Sequence, residues 1–277
     1  MKTLIAGIRL LRPINLLLGG ATVVISAAIL DALHQQLLIL LGTAVVITFT
    51  GAANALNDYL DLETDQINRR DRPLPRGDLS PKSALTLSVV LFIAGAVLAT
   101  TLPRTASLIA LGVALPLMVA YNLWLKGTVL IGNATVSAIL AMAFLFSGAL
   151  FGAIDQMIPP VLLTFAFTLV REFIKDMADR EGDLKAGAVT FPVKHGLEAS
   201  AKVAIGMILL LAVSLVTPFA TGIYSARYLV TALLGIGIPL AYIISLLVKS
   251  PSSNNCQTAA QLLKLCVFVG LLAVYLG

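Results

Sequence analysis

Nine apolar runs, read as crossings of about 30 Å of hydrocarbon with ends placed to within a few residues, divide this sequence from end to end and leave little room for any other architecture. They occupy residues 14–30, 37–56, 84–101, 107–125, 129–151, 160–173, 199–217, 228–248 and 260–276. Hydrophobic residues make up 58% of the chain and charged residues 12%, with a mean hydropathy of +0.96. A soluble domain carries about 25% charged residues, so a water-exposed fold is excluded. The expectation is an all-α membrane protein with nine transmembrane helices.

The basic residues give the orientation. With the N-terminus inside, every Lys and Arg of the 19 falls on the cytosolic face except Arg104 and Arg227. Of the 14 acids, only Asp31 and Asp155 fall on the other face. An error of one span in the middle of the chain would destroy this alternation. The expected location is a cytoplasmic cell membrane, multi-pass, with the acid-rich segments opening to the cytosol. The net charge of +5 follows from the same bias. No aromatic-interleaved basic patch is present, so no nucleic acid is expected as a partner. Residues 1–30 resemble a signal peptide with Ala27-Ala28 at a cleavage position, but Arg9, Arg12 and Pro13 ahead of a full-length run favour an uncleaved first span. Cys256 and Cys266 read as small apolar residues, not as a disulfide or metal pair.

Within this apolar background one acidic pattern occurs twice. Asn54, Asn57, Asp58, Asp61 and Asp65 are matched by Glu172, Lys175, Asp176, Asp179 and Asp183, each 118 positions later. On a helix, positions i, i+3 and i+7 lie within roughly 60° of one another, so each set forms one stripe. Gathered carboxylates repel unless something positive sits among them, and ionised groups bordering a membrane mark functional sites. Solvated helix ends are the plain alternative; recurrence of the cluster in a single register argues against it. The expectation is that the stripes face each other across one site.

The offset spans four runs, which implies a parallel duplication: halves of about 1–126 and 127–250, each a four-helix bundle, with a ninth helix added, all in one domain over 1–277. Polar loops follow both stripes, 66–82 with Pro73, Pro75, Gly77 and Pro81, and 186–196 with Gly187, Pro192 and Gly196. Loops of this kind suit lids.

Oxygen donors without interleaved His or Cys fit Mg²⁺, which is held by one or two carboxylates plus substrate phosphate oxygens and water. Two such ions could hold one diphosphate. Arg69, Arg70, Arg72, Arg76 and Lys82 stand nearby as cationic contacts, with lipid headgroups as the competing reading for each. A diphosphate head on a hydrocarbon tail suits the setting, and the reaction that uses both parts is prenyl transfer, with Tyr59 and Tyr121 offering aromatic faces to a carbocation.

These residues resemble the UbiA-type intramembrane prenyltransferases. Asn57 to Asp65 is similar to that family's Asn-Asp-x-x-Asp-x-x-x-Asp motif, and Asp179 to Asp183 to its Asp-x-x-x-Asp motif. Leu11-Arg12-Pro13, Ile67-Asn68-Arg69, Arg72-Pro73-Leu74-Pro75 and Tyr121-Asn122-Leu123-Trp124-Leu125-Lys126 also match. The resemblance implies nine helices around a central cavity, Mg²⁺ as cofactor and a prenyl diphosphate donor. It implies Asn57, Asp61, Asp65, Asp179 and Asp183 as metal ligands, with Tyr121, Lys126 and Arg72 on the diphosphate.

Residues 171–183 with Thr190-Phe191-Pro192 are similar to the archaeal-type digeranylgeranylglyceryl phosphate synthases. Their acceptor is the hydroxyl of a prenylated glycerol phosphate, so a second anion site is implied, with Arg171, Lys175 and Arg180 as candidates. Aromatic acceptors of the quinone or chlorophyll type remain the alternative. His34, on the far face, reads as a surface residue, and His195 as a weak candidate base beside carboxylates or the released diphosphate. A secondary transporter and a non-catalytic prenyl-lipid binder are the rival classes; both need membrane lipids around them, and oligomeric state is open.

Overall fold

The computed structural model describes residues 2–185 and 187–277; Met1 and Ala186, the first residue of the second polar loop, lie outside the described residues, as do the side chains of Lys2 and Asn68. Among the described residues there are helices and turns and no strand. The helices are α1 (Lys2–Leu11), α2 (Pro13–Ile29), α3 (Gln36–Leu60), α4 (Leu62–Asn68), α5 (Pro81–Ala99), α6 (Arg104–Leu125), α7 (Ile131–Leu150), α8 (Ile158–Lys185), α9 (Phe191–Ala220), α10 (Ala226–Lys249) and α11 (Ser253–Tyr275). Eight of them are long and apolar enough to cross a membrane, and nine if α1 and α2, bent by 49°, count as one span. The nine apolar runs of the sequence all fall on these helices, and the protein is an integral multi-pass membrane protein.

Local chemistry explains most of the boundaries. Pro13, Pro81 and Pro192 sit in first turns, where a missing N–H costs nothing. Ser80 caps α5 by accepting from Ser83 N at 3.0 Å, and Ser252 caps α11 from Asn255 N at 3.3 Å. Within α6 the backbone widens to π geometry over Ile109–Ala114, and within α10 over Leu233–Gly237. Each widening precedes a proline, Pro116 or Pro239, whose ring would strike the carbonyl one turn back in a regular helix. Inside α9 the backbone breaks at Gly196, with φ 79° and ψ 170°.

The two acidic stretches are built differently, which corrects the expectation of one unbroken stripe in each. The second lies wholly on α8, which continues past its apolar run to Lys185. The first is interrupted: α3 stops at Leu60, Asp61 takes φ −87° and ψ 4°, and α4 resumes at Leu62. Amide bonds from Asp61 N to Asn57 O at 2.9 Å and from Asp65 N to Asp61 O at 2.7 Å hold the junction together.

The chain divides into two compact units. The first comprises Met1–Lys126 and Met142–Ile158, the second Gly127–Ala141 and Pro159–Gly277. In the first, Val23, Val45, Phe49, Ala99, Phe146 and Leu150 form the main apolar core, and a Cβ at Gly42 would collide with Leu150. A smaller cluster of Leu10, Ala55, Leu74 and Ala84 lies under its polar end. In the second unit Phe173, Ile174, Met177, Ile208, Ile243 and Leu263 are fully buried, and the Tyr228 hydroxyl donates to Leu215 O at 2.9 Å. Arg12 (φ 56°) and Leu130 (φ 60°) are left-handed non-glycine residues. They are also 118 positions apart, each just ahead of a helix.

Candidate active site

In the first unit the polar end of α3 gathers three cations onto three acids. Asp58 is 3% exposed and accepts from Arg12 Nη2 at 2.5 Å and from Arg72 Nη1 at 3.1 Å, both on Oδ1. The same Arg72 nitrogen reaches Asp65 Oδ2 at 2.5 Å, and Lys126 pairs with Asp61. Burial pushes the Asp65 carboxyl above the ordinary carboxylate range, with the Arg72 guanidinium opposing it. Amides fix the frame around these charges. Asn57 accepts from Arg12 at 3.3 Å and donates to Asn122 Oδ1 at 3.2 Å, while Asn122 donates to Met118 O at 2.8 Å. Asn54 donates to Leu11 O at 3.0 Å, next to the left-handed Arg12.

Lys126 owes its position to the end of α6. There Tyr121–Leu125 forms another π turn, closed by Lys126 N on Tyr121 O at 2.9 Å, and Lys126 itself is extended. Such turns recur at functional sites because they re-aim the residues that follow. Other expected contacts are elsewhere. Arg76 is exposed and pairs with Asp78 at 3.2 Å, and Arg70 donates to Gln66 O at 2.9 Å. Tyr59, partly buried, packs against the Leu10, Ala55, Leu74 and Ala84 cluster.

In the second unit, α8 carries all five matching residues. Asp176 Oδ2 accepts from Asn133 Nδ2 at 2.8 Å. Glu172, 7% exposed, takes Arg171 Nη1 on one carboxylate oxygen at 2.5 Å and Lys175 Nζ on the other at 3.2 Å. Arg171 Nε is buried without an acceptor. Asp179 and Asp183 follow on the same helix, and both make polar interactions. Arg180 donates to Pro192 O at 2.9 Å, so it anchors the second loop instead of presenting its Nε to an anion. The His195 ring lies 4.5 Å from that of Phe191, and His34 Nδ1 lies 3.0 Å from Asp31 O.

Among the described residues no three His, Cys, Asp or Glu side chains converge as a ready-made ion cage. In the first unit the acids are neutralised by Arg and Lys. Mg²⁺ does not require such a cage, since it takes few carboxylates and completes its shell with phosphate oxygens and water. A donor set of carboxylate and amide oxygens, free of thiol and imidazole, fits that ion. Sequence reasoning passed over Asn133 altogether and gave Asn122, although it stands in the matched Tyr121 to Lys126 stretch, no role. Each is a lone amide in an apolar run, buried at 8% and 6% exposure, and that isolation was the available signal.

Comparison with known proteins places this geometry in context. The UbiA prenyltransferase family model matches residues 17–269. Digeranylgeranylglyceryl phosphate synthase of Methanothermobacter thermautotrophicus is 35% identical over 240 residues, covering 87% of this chain and 84% of that protein. A solved structure from work on "the biosynthesis of Digeranylgeranylglyceryl phosphate synthase in membranes" has a TM-score of 0.80 at 27% identity, covering 100% of this chain and 99% of its own. A UbiA homolog from Archaeoglobus fulgidus bound to DMAPP and Mg²⁺ has a TM-score of 0.65 at 17% identity, covering 97% and 98%, a likeness of fold.

Proposed function

Because the chain belongs to the UbiA prenyltransferase family, we propose that it moves a prenyl group, geranylgeranyl by preference, from its diphosphate to the free hydroxyl of a prenylated glycerol phosphate in membrane ether-lipid synthesis. The observation that carries this reading is the pairing of Lys126 with Asp61 and of Arg72 with Asp65. Candidate phosphate cations and candidate metal ligands are already partners, as expected of groups that serve one anion and its counter-ions.

When bound, Mg²⁺ would neutralise charge on the departing diphosphate, held through Asn57, Asp61, Asp65, Asp179 and Asp183. Arg72 and Lys126 would turn from their carboxylates to the diphosphate oxygens, giving charge-assisted hydrogen bonds that strengthen as the leaving group gains charge. Tyr121, at the start of the same π turn, would contact that group as well. Arg171 and Lys175, steadied by Glu172, would take the acceptor's phosphate. The allylic C–O bond breaks with its electron pair going to the diphosphate. The acceptor oxygen then bonds to that carbon, and its proton passes to a carboxylate or to the released diphosphate. Asp58 and Asp176 complete the acidic frame. The lysine and arginine bias supports a cytosolic opening.

Purified protein in detergent, given Mg²⁺, geranylgeranyl diphosphate and geranylgeranylglyceryl phosphate, is expected to release pyrophosphate and form a doubly prenylated product. Turnover only with aromatic acceptors would reassign the acceptor. Solute flux in proteoliposomes without any product would overturn the enzyme reading.

A further inference from the structure

Three candidates stand out beyond the chemistry above: the apolar face of α1, the Glu172 clamp and the unequal roles of the two arginines on Asp58. The face of α1 has nothing beyond lipid to cover it, and the clamp belongs to the acceptor reading. The arginine pair carries an inference of its own, which rests on the diphosphate reading.

Arg12 and Arg72 both donate to Asp58 Oδ1, but they are held in different ways. Arg12 sits at the joint between α1 and α2, its backbone locked on both sides. Its N–H donates to Arg9 O at 3.2 Å, its carbonyl accepts from Asn15 N at 2.8 Å, and the Leu11 carbonyl before it is held by Asn54 at 3.0 Å. Its left-handed backbone, φ 56°, is a conformation side chains rarely adopt. The strain is maintained by these bonds, and it aims the guanidinium at Asp58 and Asn57. Arg72 lies in the turn segment after α4, where its N–H donates to Arg69 O at 3.0 Å and its carbonyl accepts from Arg76 N at 3.1 Å; what differs is its side chain, which splits one nitrogen between Asp58 and Asp65.

Any cation shared between two carboxylates can leave only if neither is stranded. Asp65 would gain a metal when the diphosphate arrives; Asp58, 3% exposed, has only the arginines among the ion pairs described for it. We propose that Arg12 is a positioning residue: it is the permanent counter-ion of Asp58, and its presence releases Arg72 to follow the diphosphate. Without Arg12, Arg72 becomes the sole cation on a buried carboxylate, and removing it would leave an uncompensated charge. The donor would then be bound less tightly even though Arg12 never touches it.

The test is calorimetric titration of the full-length protein in detergent with inorganic pyrophosphate in the presence of Mg²⁺. Arg12→Gln is expected to weaken binding about tenfold. Arg12→Lys, which keeps the charge, should stay within about threefold of the unaltered protein. The double variant Arg12→Gln with Asp58→Asn, in which no charge is left to satisfy, should regain most of the lost affinity, a recovery that general loosening of the fold would not give. Unchanged binding in Arg12→Gln, a Lys variant as weak as the Gln variant, or a double variant no better than Arg12→Gln would each overturn the role of Arg12 alone. No pyrophosphate binding by the unaltered protein would overturn the diphosphate reading and this inference with it.

Discussion

Asn133 donates its side-chain amide to Asp176 at 2.8 Å, whereas the matching acid Asp58 holds two guanidiniums. The two matched acids are therefore braced differently, Asp58 by two cations and Asp176 by a neutral amide. A neutral donor compensates a carboxylate less than a guanidinium does.

Asn133→Ala should remove that bond and leave a carboxylate oxygen short of a partner, at a cost of about 1–3 kcal/mol. Thermal unfolding in detergent would register this as a lower midpoint, with Asp176→Asn in the same background regaining part of it. An unchanged midpoint in Asn133→Ala would remove Asn133 from its bracing role.

Asp61→Ala and Asp179→Ala should each lower turnover by on the order of 10²-fold or more while leaving a folded protein, since each removes a carboxylate that would hold the Mg²⁺ neutralising the leaving diphosphate. Chelation with EDTA should abolish turnover in the unaltered protein, and Mg²⁺ should restore it. Activity near normal in either variant, measured by pyrophosphate release, would overturn the metal-ligand assignment.

Arg171→Ala should raise KM for the glycerol phosphate acceptor by about tenfold or more, the worth of a charge-assisted hydrogen bond, and leave KM for the prenyl diphosphate unchanged. If donor KM rises and acceptor KM does not, Arg171 serves the diphosphate instead.

Gly196→Ala should destabilise the protein by about 1–3 kcal/mol, because φ 79° with ψ 170° is a region open essentially to glycine. Nothing lies within 4 Å of an added Cβ, so the loss measured by thermal unfolding would be a backbone cost without a clash. A midpoint equal to that of the unaltered chain would show that α9 can do without its break.

Much of this was legible in the residues. Apolar length alone located the helices, because hydrocarbon permits few other conformations to a backbone with no external partners. The matched acids were visible for the same reason: charges are scarce in such a chain, so a repeated cluster stands out. What periodicity could not give was the break at Asp61, since the i to i+4 amide bonds on either side of it survive and one residue's torsion is enough to bend the stripe. Nor could it give the partners of each charge. Arg76 and Arg72 look alike in the sequence, four residues apart in a basic loop, yet one pairs with Asp78 and the other with Asp58 and Asp65. That choice is made by the turns of the loop, where Gly77 at φ 74° follows Arg76.

The widened turn at Tyr121–Leu125 holds slack that a regular helix would lack. Taking out one residue there, Leu123 for instance, would let the coil tighten to ordinary winding, with the lost residue taken up by the slack of the wide turn. The bond from Lys126 N to Tyr121 O, which now closes that turn, would go with it, and the lysine would leave the helix along a different line toward Asp61. A one-codon deletion would thus probe the aim of one ammonium without cutting the span that carries it.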